Sequence, residues 1–110
     1  MTLREKQSKF VLMIAKLILK AYELGYELSF GEAFRSASEA ARLAKAGKGI
    51  INSLHRDRLA VDFNLFKNGV LLSKSSDHKA LGEYWESIGG TWGGRFNDGN
   101  HYSLEHEGRK

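Results

Sequence analysis

The chain of 110 residues contains no cysteine and no proline. Without cysteine, the fold relies on neither disulfides nor thiolate metal sites. Any zinc site must then be built from imidazole and carboxylate donors. The redox compartment stays open, because a cysteine-free protein tolerates both regimes. Without proline, tight turns fall to glycine, and seven of the 12 glycines crowd into the last third, where turns near a site are expected. There is also no run of five or more basic residues, which argues against a nucleic-acid partner. The net charge of +4 and pI near 9.4 serve solubility, or attraction to a polyanion such as nucleic acid, an anionic membrane or an acidic cell-wall polymer. No apolar stretch reaches the roughly 20 residues needed to span a membrane. The segment from Phe10 to Leu19 is broken by Lys16, Lys20 follows it, and no Ala-x-Ala comes after. Stable membrane insertion is therefore not expected, no clear signal peptide is present, and the segment reads as an amphipathic core helix.

What remains is an ordinary globular composition, 42% hydrophobic and 27% charged, which excludes disorder and suits one domain over residues 1–110. Thr2-x-x-Glu5 reads as a capping box. Phe10, Ile14, Leu17, Ile18 and Ala21 then recur at helical spacing until Gly25. Tyr26 to Phe34 alternates loosely as a strand, with Arg35 at its end. Ser36 or Ser38 caps a second helix from about Glu39 to Ala46, stopped by Gly47. Lys48 to Leu54 forms a loop that delivers His55. In the clearest strand, Leu59, Val61, Phe63 and Leu65 face one way and Ala60, Asp62, Asn64 and Phe66 the other. Asn68-Gly69 marks a hairpin. Ser75 to Asp77 caps a third helix running to Ile88, and Gly89-Gly90 stops it. A glycine-rich stretch through Phe96, a turn at Asn97 to Asn100, and a strand from His101 to Leu104 complete the chain. This order predicts an α+β fold: a small antiparallel sheet with about three helices packed on one face and a zinc cleft on the other.

The residues suited to chemistry are His55, Asp62, Asp98 and His101. Two imidazoles and one carboxylate make a zinc-binding set with an open fourth position, the form of a hydrolytic rather than a structural site. His55 and Asp62 are seven residues apart and would fall on opposite faces of a continuous strand, so they meet only if the chain bends at Arg56 to Arg58. Asp62 sits mid-strand in an apolar run, where an unpaired carboxylate is costly. Metal binding or a buried ion pair accounts for it. Asp98 is either a turn former in Asn-Asp-Gly-Asn or a general base beside a metal-held water.

Ser53-Leu54-His55-Arg56-Asp57-Arg58-Leu59-Ala60-Val61-Asp62 resembles the Ser-x-His-x-x-Gly-x-Ala-x-Asp motif of the M15 zinc peptidases. Trp92-Gly93-Gly94-Arg95-Phe96-Asn97-Asp98-Gly99-Asn100-His101-Tyr102 resembles the closing motif of the same family, Trp-Gly-Gly-x-Phe-x-Asp-x-x-His-Phe. Phe34-Arg35-Ser36 is similar to its Tyr-Arg-Ser segment. The resemblance implies one Zn2+ per chain on His55, Asp62 and His101, with Asp98 as catalytic acid/base. It implies that Arg35 lies over the cleft, binding substrate or polarising the scissile carbonyl. Ser53 would orient substrate or a supporting group, and Trp92 would line the cleft or support its wall. Where the motif has glycine the chain has Arg58, so the bend is expected to need no positive φ there. Tyr102 replaces the family phenylalanine.

The expected activity is hydrolysis of peptidoglycan stem peptides at the L-alanyl-D-glutamate bond, by a monomeric phage or prophage endolysin. It would be made in the bacterial cytoplasm and act on the wall after release. The alternatives are a D-Ala-D-Ala carboxypeptidase of the same family and a non-catalytic zinc- or wall-binding module. His78 is expected to be exposed, His106 to be a surface residue, and Glu83, Glu86 and Glu105 to be weaker candidates for the base.

Overall fold

The protein is described by a computed structural model covering residues 1–49 and 53–110. The loop expected to deliver His55 falls partly on residues 50–52, outside the described residues. Among the described residues three α-helices, α1 (Leu3–Glu23), α2 (Ala37–Lys45) and α3 (Lys79–Ser87), combine with five strands, β1 (Glu27–Phe30), β2 (Ala60–Lys67), β3 (Val70–Leu72), β4 (Thr91–Trp92) and β5 (His101–Ser103). The fold is α+β with a small antiparallel sheet, as the residue pattern predicts.

Helix α1 starts at a full capping box. The Glu5 amide donates to Thr2 Oγ1 at 3.1 Å and the Thr2 amide to Glu5 Oε1 at 2.9 Å. Its buried stripe is Phe10, Met13, Leu17 and Ala21. Ile14 and Ile18 pack at the stripe's margin rather than its centre, each one position round the helix from Met13 and Leu17. Helix α3 is preceded by a tight turn at Ser75–His78, where the Asp77 carboxylate accepts the Lys74 amide at 3.0 Å. Its Trp85 is fully buried and donates its indole N–H to the Ser103 carbonyl at 2.9 Å.

Strand β2 organises the sheet. It pairs with β1 along Phe63–Phe66, with β3 through the Asn68-Gly69 hairpin, and with β5 through Ala60–Asp62. Strand β4 adds beyond β5. Asn68 and Gly69 both have positive φ, 52° and 77°, as a type I′ turn requires. The expected alternation holds from Val61 onward: Val61, Phe63 and Leu65 are buried in the core, with Phe10 meeting Trp85 edge-on at 5.7 Å, whereas Ala60, expected on the other face, is buried in the same cluster. Helix α2 stands apart from that core and buries only Ala40; Arg35 precedes it and Lys48 follows it in the chain. Ser36 caps it, accepting the Glu39 amide at 3.1 Å. Among the described residues no helix is long and apolar enough to cross a membrane.

Candidate active site

Strand register brings the first two site residues together. Asp62 pairs directly with His101. The Asp62 main chain turns the other way, donating to the Glu32 carbonyl and accepting from the Gly31 amide, both at 2.8 Å. Asp62 and His101 therefore form a pair with no hydrogen bonds between their main chains, the arrangement in which opposed side chains approach closest. His101 Nδ1 lies 3.2 Å from Asp62 Oδ1.

His55 arrives by a short turn, Leu54–Asp57, whose first amides are capped by Ser53: the His55 amide donates to Ser53 Oγ at 3.2 Å. The turn closes through Arg58 at φ 57°, ψ 37°, after which the Leu59 amide bonds back to the Leu54 carbonyl at 3.0 Å. This corrects the expectation for Arg58. The bend does take a positive φ there, although the residue is not glycine. A left-handed conformation costs an L-residue roughly 1–2 kcal/mol, and the Arg58 guanidinium lies 4.1 Å over the Phe34 ring, a contact that offsets part of it. The bend returns the chain into β2 with His55 Nε2 at 3.4 Å from Asp62 Oδ1.

His55, Asp62 and His101 thus offer one ligand atom each, all within 4.8 Å of one another. The imidazoles are buried and the carboxylate is partly so. Two ring nitrogens converging on a single carboxylate oxygen are the donor set of a three-ligand zinc site. On the side away from Asp62, His55 Nδ1 is buried and has no hydrogen-bond partner among the described residues. Burial raises the Asp62 carboxyl, but hydrogen bonds from His101 and His55, with their charge, overcome it and hold the group at about 2. For His101, burial acts to lower the pKa, and the Asp62 hydrogen bond and charge outweigh it to give a net rise.

Asp98 stands at the edge of this group, Oδ2 3.9 Å from His101 Nδ1, with its side chain half-exposed. Burial and the charge of Asp62 raise its pKa, against the opposing pull of His101 and His55. A raised carboxyl near solvent is suited to taking up and passing on a proton. The loop carrying it is anchored from below. The Asp98 amide donates to the Gly93 carbonyl at 2.8 Å and the His101 amide to the Asp98 carbonyl at 3.1 Å. The Trp92 indole N–H reaches the Gly99 carbonyl at 2.8 Å. Trp92 is buried and does not line the cleft. Its indole supports the loop behind the cleft wall.

Arg35, Ser53, His55, Asp62, Asp98 and His101 all line one cleft of about 450 Å³, together with Phe96 and the basic residues Lys48, Arg109 and Lys110. Arg35 is tied to the site twice: its amide donates to the His55 carbonyl at 3.0 Å, and its Nε–H donates to Glu32 Oε1 at 2.5 Å. Glu32 has no counterpart among the residues singled out in the sequence. The only local hint was its position three residues before Arg35.

Other candidates lie elsewhere. Glu83, Glu86 and Glu105 do not line the cleft, and Glu86 is paired with Arg95 at 2.7 Å. His106 meets Lys6 Nζ at 3.1 Å near the chain's end. His78 is buried rather than exposed, with Nδ1 at 2.7 Å from the Tyr102 hydroxyl. It turns inward because Tyr102, on the core face of β5, offers the one partner that a buried imidazole requires.

A model of a peptidase family, M15, described as D-alanyl-D-alanine carboxypeptidase, matches residues 46–104. That stretch is more than half of the chain and contains His55, Asp62, Asp98 and His101. No curated protein sequence matches the chain at a significant level. Among solved structures, the crystal structure of Serratia marcescens L-Ala D-Glu endopeptidase ChiX aligns with a TM-score of 0.73 at 22% identity, covering 89% of this chain and 79% of that one. At that identity the likeness speaks for the fold.

Proposed function

The chain belongs to the M15 peptidase family, and from that premise we propose that it is a zinc-dependent peptidase acting on peptidoglycan stem peptides. The observation that carries the reading is the meeting of His55, Asp62 and His101 within 4.8 Å in the same cleft as Asp98 and Arg35. Zinc, when held by the three ligands, supplies Lewis-acid polarisation of a carbonyl and lowers the pKa of water.

The chain's own groups supply the rest. Asp98, as carboxylate, takes the proton of the attacking water and then delivers it to the departing amine, so one group acts as base and then acid. Arg35 faces the cleft with a fixed positive charge that stabilises negative charge developing on the scissile carbonyl oxygen. Ser53 acts through His55, whose amide it caps. Lys48, Arg109 and Lys110 make the rim basic, which favours a substrate rich in free carboxylates.

For the bond, we favour the L-alanyl-D-glutamate linkage. The fold match to a protein that carries that activity supports it, as does the resemblance to compact phage lysins, and a monomeric endolysin role follows from the same resemblance. The second reading is cleavage of D-Ala-D-Ala, favoured by the description of the matching family. Mass spectrometry of peptidoglycan digested by the zinc-loaded protein decides between them. New N-termini at D-glutamate support the endopeptidase; released D-alanine supports the carboxypeptidase. An intact wall with zinc bound contradicts both.

A further inference from the structure

We propose that Glu32 is a positioning residue that orients both the metal ligand His55 and the substrate-facing Arg35. The inference rests on the zinc reading above and assigns a residue outside the ligand and base set.

A histidine that binds a metal through one ring nitrogen donates its other N–H to an acceptor, and that outer bond fixes both tautomer and ring orientation. For His101, Nδ1 faces Asp62 and the outer Nε2 lies 3.3 Å from the Lys110 carbonyl. For His55 the order is reversed: Nε2 faces Asp62 and Nδ1 is the outer nitrogen. That Nδ1 is buried without a hydrogen-bond partner among the described residues, and Glu32 Oε1 stands 3.7 Å from it. A closure of about 0.7 Å brings the pair to ordinary hydrogen-bond length. A proton on Nδ1 directed at Glu32 leaves the Nε2 lone pair free for the ion.

The same oxygen accepts the Arg35 Nε–H at 2.5 Å, and the Glu32 main-chain carbonyl accepts the Asp62 amide at 2.8 Å. Glu32 is thereby joined to Asp62 through its main chain and set against His55 and Arg35 through its carboxylate. Its side chain is 30% exposed and that of Arg35 only 11%, so the guanidinium is held under the cleft wall by this carboxylate instead of ranging in solvent.

Two variants separate the roles. Glu32→Gln keeps an oxygen acceptor for His55 but loses the charged partner of Arg35; Glu32→Ala loses both. The measurements are zinc affinity by chelator competition, the His55 Nδ1–H proton resonance of the zinc-loaded protein, and steady-state kinetics on a stem peptide. The expected result is zinc affinity weakened roughly 10- to 100-fold in Glu32→Ala, with the Nδ1–H resonance lost to exchange. Glu32→Gln keeps zinc affinity close to wild type and keeps the resonance, while kcat/KM falls because Arg35 is loosened. Glu39→Ala, which removes an exposed ion pair to Arg42 on α2, changes none of the three. A folded Glu32→Ala with wild-type zinc affinity and resonance overturns the proposal. If that variant fails to fold, a Glu32→Gln protein with unchanged kcat and KM overturns it instead. Wild-type protein that takes up no zinc defeats the zinc reading and this inference together, an outcome distinct from zinc bound equally by all variants.

Discussion

Replacing Gly93 by alanine places a methyl group where the site has no room. A Cβ built on Gly93 would lie 2.2 Å from the Asp98 carbonyl oxygen and 2.8 Å from His101 Cβ. The first obstacle is main chain and cannot rotate away, so the Asp98 loop must withdraw by roughly 1 Å to regain van der Waals distance. That loop is fastened by the Asp98 amide to the Gly93 carbonyl and by the His101 amide to the Asp98 carbonyl, so both the base and a ligand move with it. Overpacking of this kind costs about 1–3 kcal/mol, and for a chain of this size each kcal/mol lowers Tm by about 4–8 °C. A displacement of about 1 Å in reacting groups costs on the order of 100-fold in rate. Thermal unfolding of the metal-free protein and kcat/KM of the zinc-loaded protein measure the two effects separately. Gly89→Ala is the control. It sits at φ +103° with nothing within 4 Å, so it should lose stability through backbone strain and leave catalysis unchanged. A Gly93→Ala protein with wild-type Tm and kcat/KM would refute the reasoning.

Asp98→Asn should retain zinc and lose activity by about 10²- to 10⁴-fold, the usual contribution of a general acid–base; equal turnover in metal-loaded wild type and variant would remove Asp98 from the mechanism. Zinc at 100 times its dissociation constant should stabilise the fold by about 2.7 kcal/mol, read as a rise in Tm that a chelator reverses and that His55→Ala abolishes. Burial lowers the pKa of His78, partly opposed by the charge of Asp77. The native state therefore resists protonating this imidazole more than the unfolded chain, whose ordinary histidine value is 6.5. The sign is that stability is full above 6.5 and falls as pH drops below it towards the native pKa. The difference in unfolding free energy between wild type and His78→Gln, read by urea unfolding from pH 8 to 5, should show that slope, because His101, whose pKa is raised and acts with the opposite sign, is common to both proteins.

Much of the scaffold was legible in local pattern. The capping box at Thr2 and Glu5, the alternation from Leu59 to Phe66, and the Asn68-Gly69 turn act over a few residues, so sequence order exposes them. The proposed ligand set was legible because Asp62 is a carboxylate in a strand whose other face is apolar, and because the motifs around His55 and His101 occur in the right order. Contacts between distant segments were not. Glu32 reaches the site only because the chain beyond β1 keeps pairing with β2 at Asp62. His78 is buried because Tyr102, 24 residues later, supplies its partner. Trp92 lies under the wall because the loop at Asn97 to Asn100 folds back over it, placing the Gly99 carbonyl on its indole N–H. Arg58 misled for another reason: an arginine does not advertise a left-handed conformation, and the compensating contact with Phe34 depends on the folded approach of the two segments.

The central claim is that His55, Asp62 and His101 hold one zinc ion beside Asp98. Anomalous diffraction collected across the zinc absorption edge, on crystals of the zinc-loaded protein, tests it most directly. The account predicts a single peak about 2.0–2.2 Å from His55 Nε2, an Asp62 carboxylate oxygen and His101 Nδ1. A peak at other residues, or none with all three side chains in place, would contradict it.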